Sequence, residues 1–180
     1  MKVSATDLPG VMLIEPRVFG DDRGFFMESW NARAFAQAGI DAAFVQDNHS
    51  RSRKGVLRGL HYQIERAQGK LVRCVAGEVF DVVVDLRRSS PTFGRSIGIT
   101  LSAQNQRMLW VPPGFAHGFL ATHELVDFLY KTTDYWYPEH ERTLLWNDPA
   151  LGIAWPLSAA PILAAKDAAG TPLAAAAVYD

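Results

Sequence analysis

Only one cysteine, Cys74, stands among the 180 residues, so no internal disulfide can brace this fold, which fits a reducing cytoplasm. Cys74 itself reads as a small buried hydrophobe. Charge of one sign is equally scarce. Lys and Arg number 18 against 19 Asp and Glu, a formal net charge of -1, and that near-neutrality gives no global attraction to nucleic acid. Any basic residue that matters must act locally, in a pocket. Also missing is a run near the ~20 apolar residues needed to span a bilayer. Met1–Val11 has no apolar stretch following a basic start, as an export signal would, so no membrane partner is expected. What remains is an ordinary globular balance, 48% hydrophobic and 21% charged, which argues against disorder. The length fits a single domain over residues 1–180, and there is no internal repeat, linker or low-complexity tail.

Apolar and alternating runs rich in β-branched residues dominate the middle. Strands are expected at Leu71–Val75, Val79–Leu86, Ser96–Leu101, Met108–Val111, Gly118–Thr122 and Leu125–Thr132, separated by turns such as Ser89-Ser90-Pro91 and Pro112-Pro113-Gly114. Many short strands at close spacing read as an antiparallel sandwich or barrel. One early helix is expected at Ala32–Ala38, with Asn31 as N-cap and Gly39 ending it. The Ala-rich stretch from Pro156 to Ala177, interrupted by Pro161, Gly170 and Pro172, reads as short turns or helices packed on the barrel.

Residues able to do chemistry cluster in this β-rich frame. Arg58 and His61 interrupt the apolar run Gly55–Gln63, a second polar group at Gln46, Asn48, His49 and Arg51 precedes them, and Lys70 opens the next strand on the face shared by Val72 and Cys74. A lysine aimed into a barrel is costly unless it meets an anion. Period-2 geometry sends Arg58 and His61 to opposite faces of a flat strand, but Gly59 between them marks a candidate bulge that re-aims one of them. His61 and His117 raise the question of a metal. Position 63 is glutamine, no carboxylate follows at the usual spacing, and a metal site needs three or four ligands, so none is expected. In Phe128–Tyr137, alternation puts Val126, Phe128, Tyr130 and Thr132 on one face, aiming Tyr130 inward. Trp136 and Tyr137 are able to stack on a planar ring, and equally able to serve as packing or interface surface.

Taken in order, these motifs resemble those of the dTDP-4-dehydrorhamnose 3,5-epimerase family. Gly24-Phe25-Phe26 after Asp22-Arg23, and Gln46-Asp-Asn-His-Ser50, are similar to its N-terminal signature. Leu57-Arg-Gly-Leu-His-Tyr-Gln63, Gly69-Lys70, Pro112-Pro-Gly-Phe-Ala-His-Gly118, Leu129-Tyr-Lys131, Trp146-Asn-Asp-Pro149 and Lys166-Asp167 continue the match over nearly the whole chain. The resemblance implies an all-β fold, a cupin-like (jelly-roll) antiparallel barrel with short peripheral helices. It also implies an isomerase that inverts C3 and C5 of dTDP-4-dehydro-6-deoxy-D-glucose to give dTDP-4-dehydro-L-rhamnose, with no cofactor. In the roles carried over, His61 is the base, paired with Asp167; Tyr130 is the proton donor; and Lys70 lies beside the sugar oxygen that becomes negative. Substrate contacts are implied for Arg23, Glu28, Gln46, Asn48, Arg58, His117, Glu141 and Lys166, and Trp136 is implied to stack on thymine, where the family commonly has tyrosine. Family members are dimers whose N-terminal residues complete the partner's site, so a homodimer is expected in which Arg23, Phe26 and Glu28 act across the interface. The alternatives are a 3- or 5-monoepimerase acting on another nucleotide-linked 4-keto sugar, a non-catalytic sugar-nucleotide-binding barrel, and a metal-dependent cupin.

Overall fold

The computed structural model describes all 180 residues. Its N-terminal part holds β1 (Lys2–Ala5), β2 (Met12–Glu15), β3 (Val18–Asp21), β4 (Gly24–Met27), helix α1 (Ala32–Gln37) and β5 (Gln46–Arg53). The central run supplies β6 (Leu57–Gln63), β7 (Lys70–Ala76), β8 (Glu78–Asp85), β9 (Ser96–Ser102), β10 (Met108–Val111), β11 (Phe115–Ala121) and β12 (Leu125–Thr132). The chain closes with β13 (Glu141–Thr143), helix α2 (Ala165–Ala168) and 3-10 turns at Pro149–Leu151 and Leu173–Ala175. No helix is long and apolar enough to cross a membrane.

Six strands form one sheet in the order β1-β2-β10-β7-β12-β5, five form a second in the order β13-β6-β11-β8-β9, and β3 with β4 makes a separate hairpin. Strand neighbours within both sheets are antiparallel. Most are distant in sequence, which gives the cupin-like jelly roll that the motifs imply. Between the sheets lies an apolar cluster. The first sheet contributes Val72, Cys74, Leu109, Val126 and Phe128, and the second Val79, Val83, Leu101, Phe115 and Phe119.

Strand β8 shows why its sequence is apolar almost throughout. Val79 and Val83 face the inter-sheet core, whereas Val82 and Val84 face a second cluster with Leu60, Tyr62, Leu144 and Leu151. Both faces are covered, so alternation disappears. The cover on the outer face comes from the C-terminal segment. Tyr62 Oη donates to the Ala177 carbonyl at 2.6 Å and Tyr179 N–H to the Leu86 carbonyl at 3.0 Å.

Strands Met108–Val111 and Leu125–Thr132 match expectation to the residue. The strand expected at Gly118–Thr122 instead runs Phe115–Ala121. Gly114, at φ +101°, ends the proline turn, and Phe115 already pairs with Asp85. Helix α1 begins where expected, with Asn31 Oδ1 accepting from Ala34 N–H at 3.1 Å, and ends at Gln37 with Ala38 as C-cap. Its one buried side chain, Phe35, packs against Trp30 at 4.4 Å between ring centroids.

One buried carboxylate anchors the turn after β8. Asp85 Oδ1 accepts from Arg87 N–H and Nε, and Oδ2 accepts from Arg87 Nη2, Ser90 Oγ and Thr92 Oγ1 at 2.6–2.7 Å. Burial alone pushes this carboxyl up, but the hydrogen bonds from Arg87, Ser90 and Thr92 outweigh it and hold it at about 2. Its folded-state value is thus depressed, so its stabilisation is complete above the unfolded value of ~4 and is lost as pH falls through about 2. Asp85→Ala is expected to cost about 3 kcal/mol at pH 7 by stranding Arg87. Thermal melts should show the gap to the unsubstituted protein closing between pH 4 and pH 2; a gap independent of pH contradicts this account.

Candidate active site

A cavity of about 370 Å³ opens at one end of the barrel. Its walls come from opposed sheets. The five-stranded sheet brings Arg58, His61 and Gln63 on β6 and His117 on β11; the six-stranded sheet brings Gln46, Asn48 and Ser50 on β5, Lys70 on β7 and Tyr130 on β12. Trp136, Glu141, Lys166 and Asp167 complete the rim.

Gly59 is the reason that Arg58 and His61 share the cavity. His61 pairs with His117 and Arg58 with Phe119, so three steps on β6 match two on β11, and the extra residue is the expected bulge. At φ +119° and with Gly118 Cα 2.6 Å from where a Cβ would sit, the position tolerates only glycine. Arg58 is then held by its Nε donating to Ser52 Oγ at 3.0 Å and its Nη2 to the Arg51 carbonyl at 3.2 Å.

Two histidines, each paired with an aspartate, line the cavity. His61 Nε2 lies 2.5 Å from Asp167 Oδ1, the carboxylate being the one buried side chain of α2. His117 Nε2 lies 3.0 and 2.9 Å from the two oxygens of Asp81, which is fully buried. Burial pushes the Asp81 carboxyl up, and the neighbouring His117 and Lys70 pull it back. Lys70 is buried, its Nζ donating to the His61 carbonyl at 3.2 Å. That burial lowers it to about 8 despite the charges of Glu141 and Asp81. Tyr130 is raised by burial and then by Glu141, against Arg58. No group of three or more His, Cys, Asp or Glu side chains converges where it could hold a metal ion.

Of the residues that the sequence singles out for a catalytic, binding or stacking role, all but six lie in this cavity, and one of the six, Tyr137, has its ring covered by the Arg66 guanidinium at 4.9 Å. Arg23, Phe26 and Glu28 belong to the β3–β4 hairpin region outside it. Arg23 pairs with Asp21, Glu28 accepts from Asn31 Nδ2 at 3.0 Å, and Phe26 is 70% exposed. His49 and Arg51 face outward from β5 and both bond Asp127 on β12, at 3.0 and 2.9 Å. Strict alternation on β5 separates them from Gln46 and Asn48. Asp81 is not among the residues that the motifs mark, although an acid inside the apolar run Val79–Leu86 is itself a signal that something cationic faces it. Ser50, Gln63 and Gln68 also line the cavity, and no local pattern in the sequence assigns them a binding role.

The model of the family described as dTDP-4-dehydrorhamnose 3,5-epimerase matches residues 5–175. The chain belongs to this family. The dTDP-4-dehydrorhamnose 3,5-epimerase of Pseudomonas aeruginosa is 64% identical over 171 residues, covering 94% of each chain. That of Salmonella typhimurium is 58% identical over 171 residues, 94% of this chain and 93% of the relative. Among solved structures, the dTDP-6-deoxy-D-glucose-3,5-epimerase of Legionella pneumophila, in complex with dTDP-4-keto-L-rhamnose, superposes with a TM-score of 0.94 at 51% identity. It covers 97% of this chain and 93% of its own.

For a 3,5-epimerase-family cavity, the lowered Lys70 has a direct kinetic consequence. Its ammonium is present below about 8 and lost as pH rises through that value, so kcat/KM should fall on the alkaline side with an apparent pKa near 8. Lys70→Gln should lower kcat about 10²–10³-fold, the usual cost of one oxyanion donor. Initial rates from pH 6 to 10 check both; a flat alkaline side with full activity in Lys70→Gln removes Lys70 from the reaction.

Proposed function

We propose that residues 1–180 act as one epimerase domain that converts dTDP-4-dehydro-6-deoxy-D-glucose into dTDP-4-dehydro-L-rhamnose. The observation that carries this reading is that a histidine, His61, and a tyrosine, Tyr130, face one cavity from opposed sheets, with the buried Lys70 beside them. The substrate's C3 and C5 both adjoin the C4 carbonyl, so loss of either proton leaves an enolate. No cofactor is needed for that step. His61, with Asp167 accepting one imidazole N–H, takes the carbon-bound proton on its other ring nitrogen, and Asp167 steadies the imidazolium that forms. The electron pair moves into the C4 carbonyl, where the Lys70 ammonium stabilises the oxygen. Tyr130 then returns a proton from the opposite face, and its raised pKa keeps it protonated for that task. Solvent restores both groups.

The rest of the cavity suits a nucleoside diphosphate. Arg58 has a planar fork fitted to phosphate oxygens, and Trp136, 54% exposed at the rim, offers a face to thymine. His117, Gln46, Asn48, Glu141 and Lys166 bond the sugar and diphosphate in this reading. Support for the ligand comes from the Legionella pneumophila relative, whose complex holds dTDP-4-keto-L-rhamnose. We assign the enzyme to the cytoplasm, where its one buried free thiol suits the redox state.

The same reading makes the molecule a homodimer. The β3–β4 hairpin exposes Phe19, Phe25 and Phe26 at 51%, 62% and 70%, an apolar tip that calls for cover. Docked on a second copy, it would carry Arg23, Phe26 and Glu28 to the partner's cavity. Light scattering should give twice the chain mass, and Phe26→Asp should yield monomers with KM raised at least tenfold; a fully active monomer overturns the assignment.

Proton exchange separates the base from the acid. In deuterated water, Tyr130→Phe should wash label into C3 or C5 of recovered substrate while forming little inverted product, because His61 can still make the enolate and reprotonate the original face. His61→Ala should do neither. Substrate affinity is measured alongside, so that a collapsed pocket is not mistaken for a lost proton transfer. If Tyr130→Phe loses exchange as completely as His61→Ala with binding intact, the division of roles is wrong.

A further inference from the structure

Trp136 sits in a stretch, Asp134–Tyr137, that belongs to no strand or helix. Half exposed, its ring is not fixed by burial, so its position depends on what holds the backbone on either side. Gln63 does this from within. It is 3% exposed and sits at the end of β6, two residues from His61. Its Nε2 donates to the Arg66 carbonyl at 2.7 Å and the Tyr135 carbonyl at 3.3 Å, and its Oε1 accepts from Tyr137 N–H at 2.8 Å. One amide thereby grips the residues immediately before and after Trp136. Two further contacts are exposed: Trp136 N–H donates to Gln46 Oε1 at 3.2 Å, and the Arg66–Asp134 pair, at 2.7 and 2.8 Å, is screened and contributes little.

We propose that Gln63 is the positioning residue for base recognition: it presents the Trp136 ring to the nucleobase of the nucleotide sugar and takes no part in proton transfer. The proposal rests on the reading of Trp136 as the base platform. A glutamine suits the task because it offers both donor and acceptor along one flexible stem. Leucine and methionine fill the space and make none of these hydrogen bonds. The base lies far along the substrate from the reacting carbons, so loosening its platform removes binding common to substrate and transition state. That raises KM rather than lowering kcat.

The test compares the unsubstituted enzyme with Gln63→Leu, Trp136→Ala and the double variant, by calorimetric titration with dTDP and by steady-state kinetics. Gln63→Leu should weaken dTDP binding and raise KM about tenfold, with kcat falling less than about threefold. In the Trp136→Ala background the same change should add less than about twofold, because its effect runs through the ring. Should Gln63→Leu not fold, Gln63→Met is read by the same criteria and with the same expected changes. The proposal is overturned if dTDP affinity survives in the Gln63 variant while Trp136→Ala loses it. Full additivity in the double variant, or a loss confined to kcat, overturns it too. Normal dTDP binding by Trp136→Ala instead rejects the base-platform reading, and the proposal with it.

Discussion

The hydrogen bond between His61 and Asp167 joins a barrel strand to a residue 106 positions later, and the geometry of the cavity depends on that closure. Helix α2, four residues long, is too short to form by itself. It stands because the chain around it is laced to the barrel: Leu57 N–H donates to the Ile162 carbonyl at 3.0 Å, Ile162 N–H to Gly55 at 2.8 Å, and Thr171 N–H to Thr143 at 2.9 Å. Lys166 adds a bidentate pair with Glu141, at 3.0 and 2.9 Å. Asp167 therefore arrives at His61 from a scaffold fastened on both sides, and the imidazole is held by a partner that does not drift.

The barrel interior is divided along its length. Val72, Cys74, Val79, Val126 and Phe128 fill the middle with apolar volume, while Lys70, His117 and Tyr130 line the open end, with Asp81 buried behind His117. The division follows from strand alternation, since Lys70, Val72 and Cys74 are successive inward positions on β7, as are Val126, Phe128 and Tyr130 on β12. A buried charge is tolerated only when answered. Asp81 answers His117 and bears on Lys70, and the burial that strains these groups is also what tunes Lys70 to about 8.

Much of this was legible beforehand, and the failures have identifiable physical causes. The apolar strands β10 and β12 and the Asn31 cap show in the residues because burial and capping select particular side chains at particular offsets. Strand β5 does not, since Gln46–Arg53 contains no apolar residue. It is a sheet-edge strand whose inward side lines a polar cavity, so the period that marks a strand has nothing to alternate with. Gly59 was readable as a bulge because two functional residues three apart could not otherwise share a face.

The sequence alone determined the family, through long motifs in fixed order, and with it the identities of His61, Lys70, Tyr130 and Asp167 as chemically able residues. It also determined the alternation that turns most of them inward, because side-chain direction along a strand is a local property of the backbone. Tertiary structure decided which partners they meet. Nothing local links Asp81 to His117 or Gln63 to the backbone around Trp136. These contacts bridge 36 and more than 70 residues, and they exist because two sheets and a loop close on one another. A hydrogen bond across such a separation depends on packing that no stretch of sequence contains by itself.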